Sequence, residues 1–346
     1  MFLIIQGLVR AMVSEPLAAA LPGRQALQRA GGLSALWSSA LGTVAALAGL
    51  ALGSPYLIVA GVLAHGYCTG EYAKFYATVF GKPILAVAQE ATRLVLFTVA
   101  CVLFIDDVSP WVIFAVWLAA TSVAGYAFAL VSRIRLTPTW SRDLVEPKVA
   151  LSYGADHMLG SGTTQLATFG LGAWAQPSVN AAIRGTGTLL GPVATFVNSG
   201  RALIIPFLSR SHRRNERFAP VINLVVVMTA LALPLMVLVN LIPEGLGRAV
   251  LGDTWDFTRA ILMIMSVEAL LSLLSVIAFA GHRSVGAHRR TLGLRLVLSP
   301  FRLILIIGGG VVGGPIGAAW ATLAATATTA FVWWSSYIQL LRKESS

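Results

Sequence analysis

The sequence predicts an all-α protein that crosses a membrane about eleven times, in two bundles. Three observations predict this. Of 346 residues, 57% are hydrophobic and only 11% are charged, with a mean hydropathy of +0.79. A soluble globular chain carries about 45–50% apolar and about 25% charged residues, so soluble, disordered and disulfide-scaffold classes are excluded. Apolar runs recur along the whole chain, bounded by glycine, proline and charge. Basic residues gather in alternate connections between those runs, as in a multi-pass membrane protein.

The runs place helices at roughly 1–21, 32–53, 55–79, 83–105, 110–132, 151–175, 177–208, 219–242, 258–280, 291–312 and 315–340. Five start at a proline (Pro55, Pro83, Pro110, Pro177 and Pro315), where the missing N–H is one that no helical turn would use. The run 177–208 is long for one crossing and contains Pro192, so a bend is expected there. Glycines between Gly308 and Gly317 are expected to pack two helices closely at a turn. Trp320, Trp333 and Trp334 are expected at the interface or facing lipid. Cys68 and Cys101 fall at different depths, which argues against a disulfide.

The net charge of +11 first reads as a nucleic-acid surface, but its distribution excludes that reading. One set of alternate loops, with the C-terminal tail, holds 16 of the 25 basic residues, Arg24, Arg133, Arg135, Arg213, Arg283 and Arg290 among them. The opposite set holds only Arg248 and Arg259, with Asp106, Asp107, Glu244, Asp253 and Asp256. The positive-inside rule puts the first set and the C-terminus in the cytoplasm. Eleven crossings then put the N-terminus outside, which leads to the expectation of a missing first helix. The longest cytoplasmic connection divides the chain into a first lobe at 1–132, a linker at 133–150 and a second lobe at 151–346.

Twelve ionisable residues remain at or within the spans. The basic ones are Arg10, Lys74, Arg93, Arg184, Arg201, Arg295 and Arg302, and the acidic ones Glu15, Glu71, Glu90, Asp156 and Glu268. Each costs at least about 2.5–3.5 kcal/mol at mid-bilayer, so such groups face a bundle interior or a wet cavity. Glu71 and Lys74 are three residues apart, as are Glu90 and Arg93, so each pair shares a helical face. That spacing suits a structural ion pair as well as part of a site. Glu268 and Arg302 lie at similar depth and are expected to pair across helices. Glu15 and Arg295, near inner helix ends, are expected to reach the headgroups. In the second lobe the basic residues outnumber the acids, which favours an anion, and the planar guanidinium suits phosphate. Asp156-His157 is a candidate proton-handling pair. No metal-ligand, P-loop or paired-cysteine motif is present, and neither an enzyme nor a cofactor is expected.

Three stretches carry a resemblance. They are Tyr153-Gly-Ala-Asp with Gly160-Ser-Gly, Asn180-Ala-Ala-Ile-Arg-Gly-Thr-Gly with Leu190-Gly-Pro, and Gly200-Arg-Ala-Leu-Ile-Ile-Pro. With Val250-Leu-Gly-Asp-Thr-Trp and Gly314-Pro-Ile-Gly-Ala-Ala-Trp, they resemble bacterial polysaccharide flippases of the multidrug/oligosaccharidyl-lipid/polysaccharide exporter superfamily. The resemblance implies a two-lobe fold of twelve helices, here lacking the first. It implies a multi-pass protein of the bacterial cytoplasmic membrane that moves a polyprenyl-pyrophosphate-linked oligosaccharide between leaflets. Its partners would be that lipid-linked substrate and membrane lipids, with a polysaccharide polymerase and glycosyltransferases as further candidates and no nucleic acid. On this reading Arg184, Arg201, Arg302, Arg10, Arg93 and Lys74 are candidate contacts to pyrophosphate or glycan. Glu71, Glu90, Asp156 and Glu268 are candidates for ion or proton coupling. A drug or metabolite antiporter of the same superfamily and an integral-membrane glycosyltransferase or polymerase are the alternatives.

Overall fold

The structure, a computed structural model, describes residues 2–20, 22–104, 109–141, 143–209 and 218–343, without the side chains of residues 104, 196, 198–203, 206, 209, 218, 219 and 343. Asp106, Asp107 and Arg213 of the expected loops lie outside the described residues. The described residues form helices and no strand. The helices are α1 (Phe2–Val9), α2 (Glu15–Ala20), α3 (Arg24–Leu52), α4 (Pro55–Val62), α5 (Ala64–Val79), α6 (Pro83–Phe104) and α7 (Pro110–Val131). They continue with α8 (Pro147–Trp174), α9 (Pro177–Leu189), α10 (Gly191–Ser209), α11 (Phe218–Asn240), α12 (Glu244–Leu251), α13 (Trp255–Ser284) and α14 (His288–Lys343). Apart from the short α12, they make eleven membrane-length rods, as the apolar runs predict. A π-helical turn, Arg10–Ser14, joins α1 to α2, α4 runs into α5 through Leu63, and α9 bends into α10 at Leu190 ahead of Pro192. The rod named α14 is two helices: Gly314 has φ +59 and Pro315 starts the second arm.

Seven helices are long and apolar enough to cross a membrane, the two-armed α14 counted as one. Outside that set are α8, which is long enough but less apolar, and the rods at 55–79 and 177–209, which are interrupted at Leu63 and Leu190.

The chain folds as two compact units, residues 1–157 and 158–346, with α8 shared between them. In the first unit, small residues let helices approach backbone to backbone. A methyl group on Gly42 would meet the Gly61 carbonyl, and one on Gly70 would meet the backbone of Gly125. That brings α3 onto α4 and α5 onto α7. An apolar cluster of Ile5, Val9, Ala45, Ala64, Tyr67 and Leu118 fills the space between them. In the second unit, Gly309 lies against Gly317 across the Gly314 turn, and Gly310 sits under Leu171 of α8. The expected glycine packing is therefore present.

The connection from α7 to α8 packs along the first unit. Arg133, with φ +56, ends α7 in a left-handed turn, and the Ile134 N–H donates back to the Ala129 carbonyl at 2.9 Å. The chain then runs beside α3. The Arg135 N–H donates to the Gln28 carbonyl and the Thr139 N–H to the Gly32 carbonyl, each at 3.0 Å. Trp140 reaches Trp37, with ring centroids 5.9 Å apart. Gly31 and Gly32 admit this strap, since a side chain on either would collide with it.

Candidate functional site

The first unit gathers its charges into one chain. Lys74 of α5 is ion-paired with Glu71 one turn earlier and reaches Glu90 of α6 at 2.6 Å. Glu90 in turn holds Arg93 at 2.6 Å, and the Arg93 guanidinium lies 5.7 Å from the centre of the Trp117 ring of α7. All four charged side chains are partly buried. The two pairs read from the spacing are thus joined by a link between helices, and together they are neutral. Each cation satisfies a carboxylate that would otherwise stand alone at membrane depth, where a lone charge is costly. Close by, the Gln89 amide donates to the Gly70 carbonyl at 2.9 Å, which fixes α6 against α5.

Arg10 stands apart from that chain. It opens the π turn, in which the Glu15 N–H bonds to the Arg10 carbonyl five residues back. Pro16 follows and has no N–H to continue the regular ladder. Such turns are frequent at functional sites. Arg10 is half-buried, and no carboxylate pairs with it among the described residues. Glu15 differs from the expectation: it is 7% exposed, enclosed with its neighbours Ala11 to Ala18, and does not extend toward headgroups. Asp156 is also buried, at 1% exposure, and His157 lies against Gly7 of α1.

In the second unit, Arg302 of α14 lies 3.6 Å from Glu268 of α13, so the expected pairing is present. The Thr326 hydroxyl donates to the same carboxylate at 2.7 Å. Arg184 is on the exposed side of α9, and among the described residues no carboxylate pairs with it. Gly185 beside it takes the Thr258 side chain of α13, which fixes the face α9 presents. Arg201 is on α10, and its side chain lies outside the described residues. Arg295 lies against aromatic rings. Its guanidinium lies 4.9 Å from the centre of Phe279 and 5.9 Å from that of Trp333.

Several polar residues were not singled out by the sequence. His65 of α5 contacts the Tyr126 hydroxyl at 2.8 Å and the Leu136 carbonyl at 3.0 Å, tying α5, α7 and the strap together. Because the Leu136 oxygen only accepts, His65 donates to it from Nε2. Arg283, read as a loop residue, lies in α13 with no exposed surface and stacks 4.9 Å from Phe279. Next to it His282 meets Ser336, whose hydroxyl also accepts from Arg290 at 2.7 Å. Trp333, expected at the membrane surface, is buried in this cluster against Phe279, whereas Trp320 is exposed as expected. From Ala269 to Lys343 the chain has seven arginines and lysines and no acid. Among the described residues, no group of histidine, cysteine and acidic side chains is arranged to hold a metal.

No protein-family model and no curated protein sequence matches the chain. Its fold, however, is that of solved MATE transporters. An outward-facing multidrug resistance MATE family transporter of the MOP superfamily superposes with a TM-score of 0.73 at 16% identity, over 100% of this chain and 86% of the other. A single-residue mutant of the Vibrio cholerae MATE transporter VcmN gives 0.71 at 15% identity, over 99% and 86%. A MOP superfamily transporter from Pyrococcus furiosus, whose binding pocket of reverse polarity is described as suggesting a different function, gives 0.70 at 13% identity, over 100% and 86%. The chain is thus an all-helical, multi-pass membrane protein with the MATE fold.

Proposed function

We propose that this protein is a transporter of the MOP superfamily that moves a polyprenyl-pyrophosphate-linked oligosaccharide across the bacterial cytoplasmic membrane for surface polysaccharide synthesis, with its C-terminus cytoplasmic. The observation that carries the reading is the cationic surplus left after the ion pairs are counted. Lys74 and Arg93 are matched by Glu71 and Glu90, and Arg302 by Glu268, whereas Arg10 and Arg184 have no carboxylate partner among the described residues. Arg201 adds a third span-located cation one helix on from Arg184. Guanidinium groups at membrane depth suit a pyrophosphate, since its charge offsets their desolvation and its oxygens match the planar fork. The sugar would stay in the polar interior while the polyprenyl tail remains in lipid.

Movement of the substrate follows the general scheme for two-lobe transporters, in which one bundle rocks against the other about a central site. Glu71, Glu90, Asp156 and Glu268 are the acids available to couple this to an ion or proton gradient. In the first unit, neutralising Glu90 would release Arg93 and leave Lys74 held by Glu71 alone. In the second, neutralising Glu268 would release Arg302.

The same fold serves drug and metabolite antiporters, and fold alone does not separate the two. A carrier of cations calls for acids, whereas of the twelve ionisable residues in the spans seven are basic and five acidic, Glu15 and Asp156 included. The test is replacement of Arg184 or Arg201 with alanine in the cells that make the protein. Surface polysaccharide export should be lost while the protein stays in the membrane at its normal level. Normal export by both variants would refute the anion reading. Loss of resistance to a cationic dye with unchanged polysaccharide would favour the antiporter.

A further inference from the structure

The corner between α11 and α13 holds a helix that the substrate reading does not use. α12 presents three distinct sectors. On one side Gly247 lies under Trp255, and a methyl group there would strike the indole. On a second, Arg248 bonds to Glu244 at 3.0 Å and to Asp256 at 2.9 Å. On the third, Leu246 and Val250 form an exposed ridge one turn apart, with 56% and 58% of their surface open. At about 100° per residue, that ridge is roughly 160° around the helix from Glu244 and Arg248. The apolar and charged sectors therefore point in opposite directions, with the contact to α13 between them.

This is the arrangement of a helix lying flat at an oil–water boundary, where one face meets acyl chains and the opposite face meets water. The apolar sector continues from an existing lipid-facing surface. Leu238 and Leu241, at the end of the strongly apolar α11, are exposed immediately before α12, and Phe257 is exposed immediately after it. The charges at this corner are also self-contained. Arg248 is shared between two acids, and Arg259 donates to the Asn240 carbonyl at 2.7 Å. Little positive charge is left over to attract acidic headgroups or an acidic partner.

We propose that α12 is an in-plane interfacial helix whose Leu246 and Val250 insert into the bilayer surface, fixing the depth of the α11–α13 corner. The occupant of its apolar sector is lipid, because the ridge is narrow, is continuous with the lipid-facing side of α11 and has no charged rim that would select a protein. Its attachment is apolar and does not depend on anionic lipid.

Site-directed spin labelling tests this. Cys68 and Cys101 are replaced with alanine, and a nitroxide is placed singly at Leu246, Val250 or Asp253 in full-length protein reconstituted into phosphatidylcholine vesicles. All three positions are exposed, so none of the labels disturbs packing. Labels at 246 and 250 should collide several-fold more with oxygen, relative to a water-soluble nickel chelate, than the label at 253. Adding phosphatidylglycerol should leave that ratio unchanged. Equal nickel collisions at all three sites would overturn the proposal by placing the ridge in water. Protection of 246 and 250 from both reagents would overturn it by showing a protein cover, and a ratio that rises only with phosphatidylglycerol would overturn the apolar attachment.

Discussion

Replacing Lys74 with methionine tests how the first unit tolerates its buried charges. Lys74 bonds to Glu71 and Glu90, and Arg93 bonds to Glu90. Removing the lysine leaves Glu90 paired with Arg93 but strands Glu71 beside a helix interface. Breaking a buried pair from one side costs about 3–5 kcal/mol. Lys74 and Glu71 keep about a fifth of their surface exposed, so roughly 2 kcal/mol is the reasonable expectation. The second replacement, Glu71→Gln, removes the stranded charge, so the double variant should recover at least about 1 kcal/mol of that loss. The assay is a double-mutant cycle on thermal unfolding in detergent, followed by the amount of monodisperse protein left after heating. Strict additivity would refute the reasoning, because it would mean that Glu71 does not depend on Lys74.

Three further outcomes follow from the same geometry. Gly32→Val should push the strap off α3 at an overpacking cost of about 1–3 kcal/mol, read as a lower unfolding temperature. Alongside it, an otherwise buried Ile134→Cys thiol should react faster with maleimide. His65→Phe keeps a ring but loses the bonds to Tyr126 and Leu136, so it should cost about 1–3 kcal/mol and expose the same thiol. Arg302→Met should destabilise the second unit, and adding Glu268→Gln should restore most of the loss, since the amide still accepts from Thr326.

Much of the fold was legible because its signals are local. Prolines at 55, 83, 110 and 177 start helices, Pro192 follows a bend, and Gly314-Pro315 divides two arms, each set by a property of the residue itself. The pairs Glu71 with Lys74 and Glu90 with Arg93 follow from helical spacing. The link between Lys74 and Glu90 does not, since it depends on how α5 and α6 are turned toward each other. Arg283 misled for a related reason. A basic residue after an apolar run reads as a loop, but α13 continues to Ser284 and buries it against Phe279. The strap was hidden because its bonds are backbone bonds, which any residue type can make. Its one trace in sequence is the pair Gly31-Gly32, whose role appears only with the strap in place.

The central claim is that the unpaired cations serve an anionic lipid, and direct binding tests it most simply. Purified protein in nanodiscs would be titrated with undecaprenyl pyrophosphate and, separately, with ethidium. The account predicts binding of the pyrophosphate lipid, weakened at least about tenfold by Arg184→Ala, which corresponds to one lost charge-assisted contact of about 1.4 kcal/mol. It also predicts that ethidium does not compete. Ethidium binding that Arg184→Ala leaves intact, with no binding of the pyrophosphate lipid, would contradict it.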